Sequence, residues 1–478
     1  MHLLFYWTVL FFLFTAGTAY LQGEELEEAV PMPPVLKLTL ESAITRALGF
    51  NRSLMNTAEN VVKAEFGIDL AAEDFEFQYY PNSRAGYTGG QHMKGGFAVG
   101  GGLDFIKKFT YGTQITISPT IFRGVEHYHT ELTALITQPL IRGLNREYQL
   151  SGVRSAQFGV RSAIRGLHIA QVALITRTIT SLYDIVKAQK ALQLSEESYD
   201  RVVKLYQSAK LKEKIGLSDA LDVYRAEGEV HHAEEALTSA RERLKETEDT
   251  LRDILSLPLD QEIEVEVPLV FSANPMTTEQ AVDLALKNRI EIDQAMDQWR
   301  ESYRLRLVAK ENLYPDLNLV LNYTNFADDQ FFYRACTRNR QSTWGVGLST
   351  TGDFTSNSNQ IAYDQSLLAM NQSSRNLEQT KANLILEVKK QSRNLARIYE
   401  RIVVQEEQIK NAKGGLYLSR IKFDRGMANN FDVIQAEKSL RTAEQSYWSA
   451  IIDHIVGEYQ LLVAIGLLTD KPQIPCYD

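Results

Sequence analysis

Two hydrophobic patterns alternate along the chain, and each occurs twice. Between Pro139 and Gly216, the residues Val153, Ala156, Val160, Ile164, Leu167, Val172, Ile175, Ile179 and Leu182 recur mostly at steps of three and four. That spacing lines one face of an α-helix. About 70 proline-free residues at 1.5 Å each give a helix of roughly 100 Å, which few globular domains contain. Ile385, Val388, Leu395, Ile398 and Ile402 repeat the pattern in the second half. Each long helix runs into a short Gly-to-Asp segment, after which a helix rich in Ala, Glu, Gln and Arg returns. The arrangement predicts antiparallel helical hairpins with coiled-coil packing.

Elsewhere the apolar positions have period two. Ile115 and Ile117 alternate with Gln114, Thr116 and Ser118, and Leu132 and Ile136 sit within Glu131 to Gln138. Leu317, Leu319 and Leu321 alternate with Asn318 and Asn322; Trp344, Val346 and Leu348 alternate with Gly345, Gly347 and Ser349. Such segments predict strands at about 82–138 and 315–350 with one lipid face and one wet face. A soluble sandwich also alternates, but has no reason to be fused twice to helices of this length. The Gly-rich stretch 85–122, with Gly100-Gly101-Gly102, predicts an extra hairpin in the first half.

The order of these segments points to an internal duplication. Leu38-Thr39-Leu40-Glu41-Ser42-Ala43-Ile44 opens one helix, and Met276-Thr277-Thr278-Glu279-Gln280-Ala281-Val282 opens another. Thr39 and Thr277 are natural N-caps with acids just behind them. Gly216-Leu217-Ser218-Asp219-Ala220-Leu221-Asp222-Val223 is followed by Ala226-Glu227. Gly426-Met427-Ala428-Asn429-Asn430-Phe431-Asp432-Val433 is followed by Ala436-Glu437. Pro81 and Pro315 each follow a helix and precede strand-like sequence; Pro139 and Thr351 each follow the last strand. The first half is longer, and most of its surplus falls among the strands. Fixed helices with variable strand loops describe a rigid tube. The expected division is a signal peptide at 1–19, a flexible lead-in at 20–35, a first repeat at 36–260, a linker at 261–275, a second repeat at 276–470 and a tail at 471–478.

The N-terminus sharpens the compartment. Leu3 to Phe14 is one apolar signal region long, and Gly17-Thr18-Ala19 offers small residues for cleavage, although no Lys or Arg precedes the run. The lead-in carries four acids and three prolines between Glu24 and Pro34. No later apolar run approaches 18 residues, which argues against a helical membrane protein and leaves a β-barrel open. The chain has 478 residues and a net charge of -9, which argues against a nucleic-acid partner. Its 20 Phe and 22 Tyr could supply a membrane girdle or a large core.

The paired helix openings, the segment Gln138-Pro139-Leu140-Ile141-Arg142-Gly143 after a strand, and the two Gly-to-Asp-Val-x-x-Ala-Glu turns together resemble the TolC family of outer membrane factors over about 36–470. The resemblance implies an α+β membrane protein assembled as a homotrimer. Each copy would give strands to an outer membrane β-barrel and helices to a periplasmic α-barrel. The turns with Gly216, Leu217, Ser218, Gly426, Met427 and Ala428 would lie at the periplasmic tip and meet an adaptor protein. That adaptor would link to an inner membrane pump of RND, MFS or ABC type.

At a three-fold tip one Asp per copy becomes a ring of carboxylates that favours cations. Asp432 is the first candidate and Asp222 the second; each could instead only stabilise the dipole of its returning helix. Family members often carry a second acid one turn after the Asp432 position, where Gln435 stands. Where an Arg can latch the closed tip, this chain has Ala428, which implies either a looser gate or a latch made by other residues such as Arg425 or Asp424. The match at Thr350-Thr351-Gly352-Asp353 to the Pro-Leu strand exit is poor. Efflux and type I protein secretion use the same kind of duct, and genomic neighbours decide between them. The competing class is a non-conducting periplasmic coiled coil.

No catalytic constellation is present, so neither an enzyme nor a cofactor is expected. His127 and His129 fall in an expected loop without a carboxylate cluster, and His231 and His232 point different ways on a helix. The glycines at 86–102 lack the Gly-Lys-Ser/Thr ending of a phosphate loop. Cys336, between the last two strands, and Cys476, after the last helix, should be too far apart for a disulfide.

Overall fold

The structure, a computed structural model, describes residues 35–90, 93–124, 127–216, 218–271, 276–337, 340–350 and 357–475. The expected signal peptide, nearly all of the lead-in, Leu217, Thr351 and Cys476 lie outside the described residues.

The chain opens with β1 (Val35–Leu38), α1 (Leu40–Phe50) and α2 (Arg52–Glu73). Thr39 caps α1 in a capping box with Ser42. Asn51 separates the two helices: its Oδ1 accepts from Leu54 N at 3.0 Å, and its Nδ2 donates to Ile254 O at 2.9 Å. The cap therefore also fixes the helix pair against its neighbours. Four strands follow: β2 (Phe77–Gly90), β3 (Met93–Lys108), β4 (Gln114–Arg123) and β5 (Tyr128–Pro139). After the short α3 (Arg146–Gln149) comes α4 (Ser151–Lys214), 64 residues long, and α5 (Ala220–Ile254) returns along it.

The second half has the same succession. β6 (Glu262–Val265) leads to α6 (Thr278–Asn288), capped by Thr277 in a box with Gln280, and α7 (Ile290–Glu311). Two strands, β7 (Asn318–Asp329) and β8 (Gln341–Ser349), flank the short α8 (Phe332–Thr337). The hairpin α9 (Ser358–Asp424), 67 residues, and α10 (Asn430–Ile465) closes the chain. At 1.5 Å per residue α4 and α9 are each about 100 Å long.

Three expectations change. The stretch 261–275 is not only a linker: β6 pairs in parallel with β1, from Val35 opposite Glu262 to Leu38 opposite Val265. The extra hairpin starts at Phe77 instead of 85, so Pro81 lies inside β2, the outermost strand of the single-chain sheet, opposite Leu103. And α4 does contain one 18-residue window apolar enough to cross a membrane by length and composition, half of it buried against other elements.

The largest core cluster lies mid-shaft, where Ile179, Leu182 and Tyr183 of α4 meet Leu251 and Leu255 after the return, Ile452 and Ile455 of α10, and Leu38 of β1. Towards its N-terminal end α4 buries polar residues, Gln157 and Arg165, among half-buried apolar ones. Arg161 and Arg165 both bond Asp297 of α7 at 2.9 Å. Burial pushes the Asp297 carboxyl up, but the two guanidinium groups outweigh it and hold it below the usual range.

Candidate channel wall and gate

The strands form one antiparallel sheet in the order β2-β3-β4-β5-β7-β8. Its ladder aligns side chains across strands: Ile117 stands opposite Phe105 and Ala134, and Leu321 opposite Ile136 and Val346. One face is apolar across the whole width, and Tyr79, Phe97, Ile117, Leu132, Trp344 and Val346 of that face are exposed in the single chain. The opposite face carries Asn82, Asp104, Thr116, Thr133, Asn322 and Thr324 at the alternate positions. Exposed apolar residues opposite a polar face are the arrangement of a wall with lipid outside and water inside.

His129 belongs to this polar face rather than to a loop. Its Nδ1 lies 2.8 Å from Asp328 Oδ1 and its Nε2 3.6 Å from Glu131 Oε2. The expectation of a histidine without carboxylates is thus corrected: β5 and β7 pair so that His129 faces Asp328. Among the described residues no group of three or more potential ligands could hold a metal ion. Cys336 has a free thiol in α8. His231 is exposed beside Glu234.

The helical hairpins turn at the other end. Gly216 and Gly426 both adopt left-handed φ, +75° and +73°, which other residues adopt at a cost. At the second turn Met427 N bonds Lys422 O at 2.7 Å and Gly426 N bonds Phe423 O at 3.1 Å, a Schellman end to α9. Asn429 then caps α10 reciprocally with Asp432: Asp432 N donates to Asn429 Oδ1 at 3.1 Å and Asn429 N to Asp432 Oδ2 at 3.3 Å. Asp222 sits in the first turn of α5 and accepts from Ser218 Oγ at 3.2 Å, with Arg225 at 3.7 Å. Asn430, fully buried, donates from Nδ2 to Asp222 O at 2.8 Å and so joins the two turns.

The other tip residues take separate places. Asp424 is exposed, 3.8 Å from Lys212 Nζ. Lys212 also donates to Phe423 O at 2.6 Å, with Nζ 3.6 Å from the Phe423 ring centroid. Arg425 and Met427 are exposed. Gln435, Asp432, Met427 and Ala428 line a groove between α9 and α10.

Sequence reasoning missed the buried charge above these turns. Glu437 is buried, and its Oε2 accepts from Arg201 Nε of α4 at 2.8 Å while its other oxygen accepts from Arg420 of α9. The sequence held one signal for it. Glu437 stands four residues after Val433, so the two share a helix face, and Val433 is buried.

A long helical shaft thus carries a sheet with one lipid-suited and one water-suited face. The outer membrane efflux protein family model matches residues 281–455. Outer membrane protein TolC of Vibrio cholerae is 24% identical over 336 residues, 66% of this chain and 73% of that one. The outer membrane protein VceC of Vibrio cholerae superposes with a TM-score of 0.71 at 15% identity, covering 89% of this chain and 96% of its own. The CmeC outer membrane channel of Campylobacter jejuni gives 0.70 at 13% identity, covering 90% and 87%. In sequence and fold the chain is similar to the TolC family of outer membrane efflux proteins, and its place is the outer membrane.

Proposed function

We propose that the chain is one of three copies forming the exit duct of a tripartite export system. The carrying observation is the continuity of the two-faced sheet with two hairpins of about 100 Å whose turns meet at one end. In this reading the two halves descend from a duplication, the sheet lies in the outer membrane, and the shaft crosses the periplasm. The turns Gly216 to Ser218 and Gly426 to Ala428 dock a periplasmic adaptor, which links the duct to an inner membrane pump of RND, MFS or ABC type. Ile215, Tyr224, Met427 and Phe431 around them are exposed and apolar, which suits a protein partner.

The gate is the tip itself. Asp432 is exposed, and while one carboxylate oxygen caps its own helix, the group can join two copies of itself in a carboxylate ring, with Asp222, Gln435, Asp424 and Arg425 nearby in the same end of the hairpins. Cargo passes from the adaptor side to the outside without chemical change. Planar-bilayer recording of the purified protein tests this: discrete, cation-preferring conductance supports it, and absence of any conductance from correctly assembled protein contradicts it.

A further inference from the structure

The first half contributes four strands and the second two, and all six lie in a single ladder. The β2–β3 hairpin is not an appendage hanging from the wall. β3 pairs with β4 from Lys108 opposite Gln114 to Val99 opposite Arg123, and β2 pairs with β3 from Phe77 opposite Lys107 to Tyr87 opposite Phe97. The faces continue without a break: Tyr79 and Phe105 extend the apolar side of Ile117, and Asn82 and Asp104 extend the polar side of Ser118.

Two local features key the hairpin in place. A Cβ at Gly102 would press on Pro119 O and Thr120, and one at Gly100 on Phe122, so β3 lies close against β4 there. At the sheet's base, Gly112 (φ +82°) turns β3 into β4 with a Cβ position 2.6 Å from Gln149 Nε2 and 2.7 Å from Gly143 O. The turn thus seats on the chain leaving β5 for the shaft.

In hydrocarbon every backbone polar group needs a partner, so the free edges of β2 and β8 cannot face lipid. Six strands are too few to close on themselves into a lined pore, since the smallest such barrels have eight. Six is also an even number, so the last strand of one copy runs antiparallel to the first strand of the next. We propose that β8 of one copy pairs with β2 of the next, giving an 18-stranded barrel in the trimer. This rests on the trimeric duct reading. At equal tilt the diameter grows with strand number, so the wall is about 1.5 times as wide as one built from four strands per copy. Barrels of this size leave an open aqueous channel, so bulky polar cargo clears the membrane section and selection falls to the tip.

The test is paired-cysteine cross-linking in outer membranes, in a Cys336→Ser, Cys476→Ser background. Facing residues of antiparallel strands lie within disulfide reach. Val346→Cys is combined in turn with Phe77→Cys, Tyr79→Cys and Ser83→Cys on β2, and with Ile115→Cys and Ile117→Cys on β4. The expected result is polypeptide ladders up to a trimer for one or two neighbouring β2 positions and none for β4. Ladders with β4 and none with β2 overturn the six-strand wall while leaving the trimeric duct standing. No ladder with either, in a protein that is trimeric in mild detergent, overturns the β8–β2 seam alone. No ladder with either, together with a monomeric mass, overturns the duct reading and the wall with it.

Discussion

Asn430 Nδ2 donates to Asp222 O at 2.8 Å, so one buried side chain at the head of the second returning helix holds the first turn of the other. The two hairpins of one copy therefore end as a single unit. Asn430→Ala removes this bond from a half-buried carbonyl that keeps its own helical partner, at a cost of about 1 kcal/mol. Thermal unfolding should show the loss, and bilayer recordings should show a larger or noisier conductance. Unchanged conductance would mean the link does not hold the tip.

Glu437 joins three helices through Arg201 and Arg420. Glu437→Ala leaves two guanidinium groups facing each other, and a buried charge without its partner is costly. Arg420 is partly exposed, so the expected loss is about 2–3 kcal/mol instead of the full figure for an enclosed pair. Urea unfolding of the detergent-solubilised protein measures it; a loss below about 0.5 kcal/mol would place Glu437 outside the bracing of the shaft.

Asp432 can be tested without breaking its cap, because Asn accepts the same hydrogen bond. Asp432→Asn should leave the melting temperature nearly unchanged while block of the channel by a trivalent cation weakens at least tenfold. Block that persists in this variant and weakens in Asp222→Asn would move the ring to Asp222.

The two faces of the sheet make opposite demands. Leu132→Arg puts a cation on the apolar face, at a cost of about 2–4 kcal/mol near mid-membrane. Thr133→Arg, one residue on, meets water and should insert normally. Outer membrane fractionation of the two variants compares them; equal yields would contradict the assignment of the faces.

His454 gives the shaft a pH dependence. The ring is enclosed by Phe271 at 5.7 Å and Tyr399 at 5.8 Å, with Glu458 Oε1 3.5 Å from Nδ1. Burial pushes its pKa below the ordinary 6.5, and Glu458 only partly opposes this. The folded state then binds fewer protons than the unfolded chain as pH falls through 6.5, so this part of the stability is present above 6.5 and lost below it. His454→Phe should flatten the melting temperature between about pH 7 and 5 relative to the parent protein. Parallel curves would assign the acid sensitivity elsewhere.

The helical hairpins were legible because their period is local: Val388, Leu395, Ile398 and Ile402 are all buried as their spacing predicts. The turns were legible too, since Gly216 and Gly426 announce the left-handed backbone they adopt. The start of the first strand was not. Gln78, Tyr79 and Tyr80 do not alternate in polarity, so β2 shows itself only through its pairing with β3. Glu437, Arg201 and Asn430 were also hidden, because a buried polar residue on a helix becomes visible only when the facing helices are known. Asp432 and Asp222 lie at the two hairpin turns, each engaged within its own turn.

The most direct test of the account is the oligomeric mass of the protein extracted from isolated outer membranes in mild detergent. A trimer recovered from the membrane fraction is the predicted result, and it would carry the sheet with it as barrel wall. A soluble monomer or dimer recovered from the periplasm would contradict the duct, since the apolar face of the sheet would then have no lipid to meet.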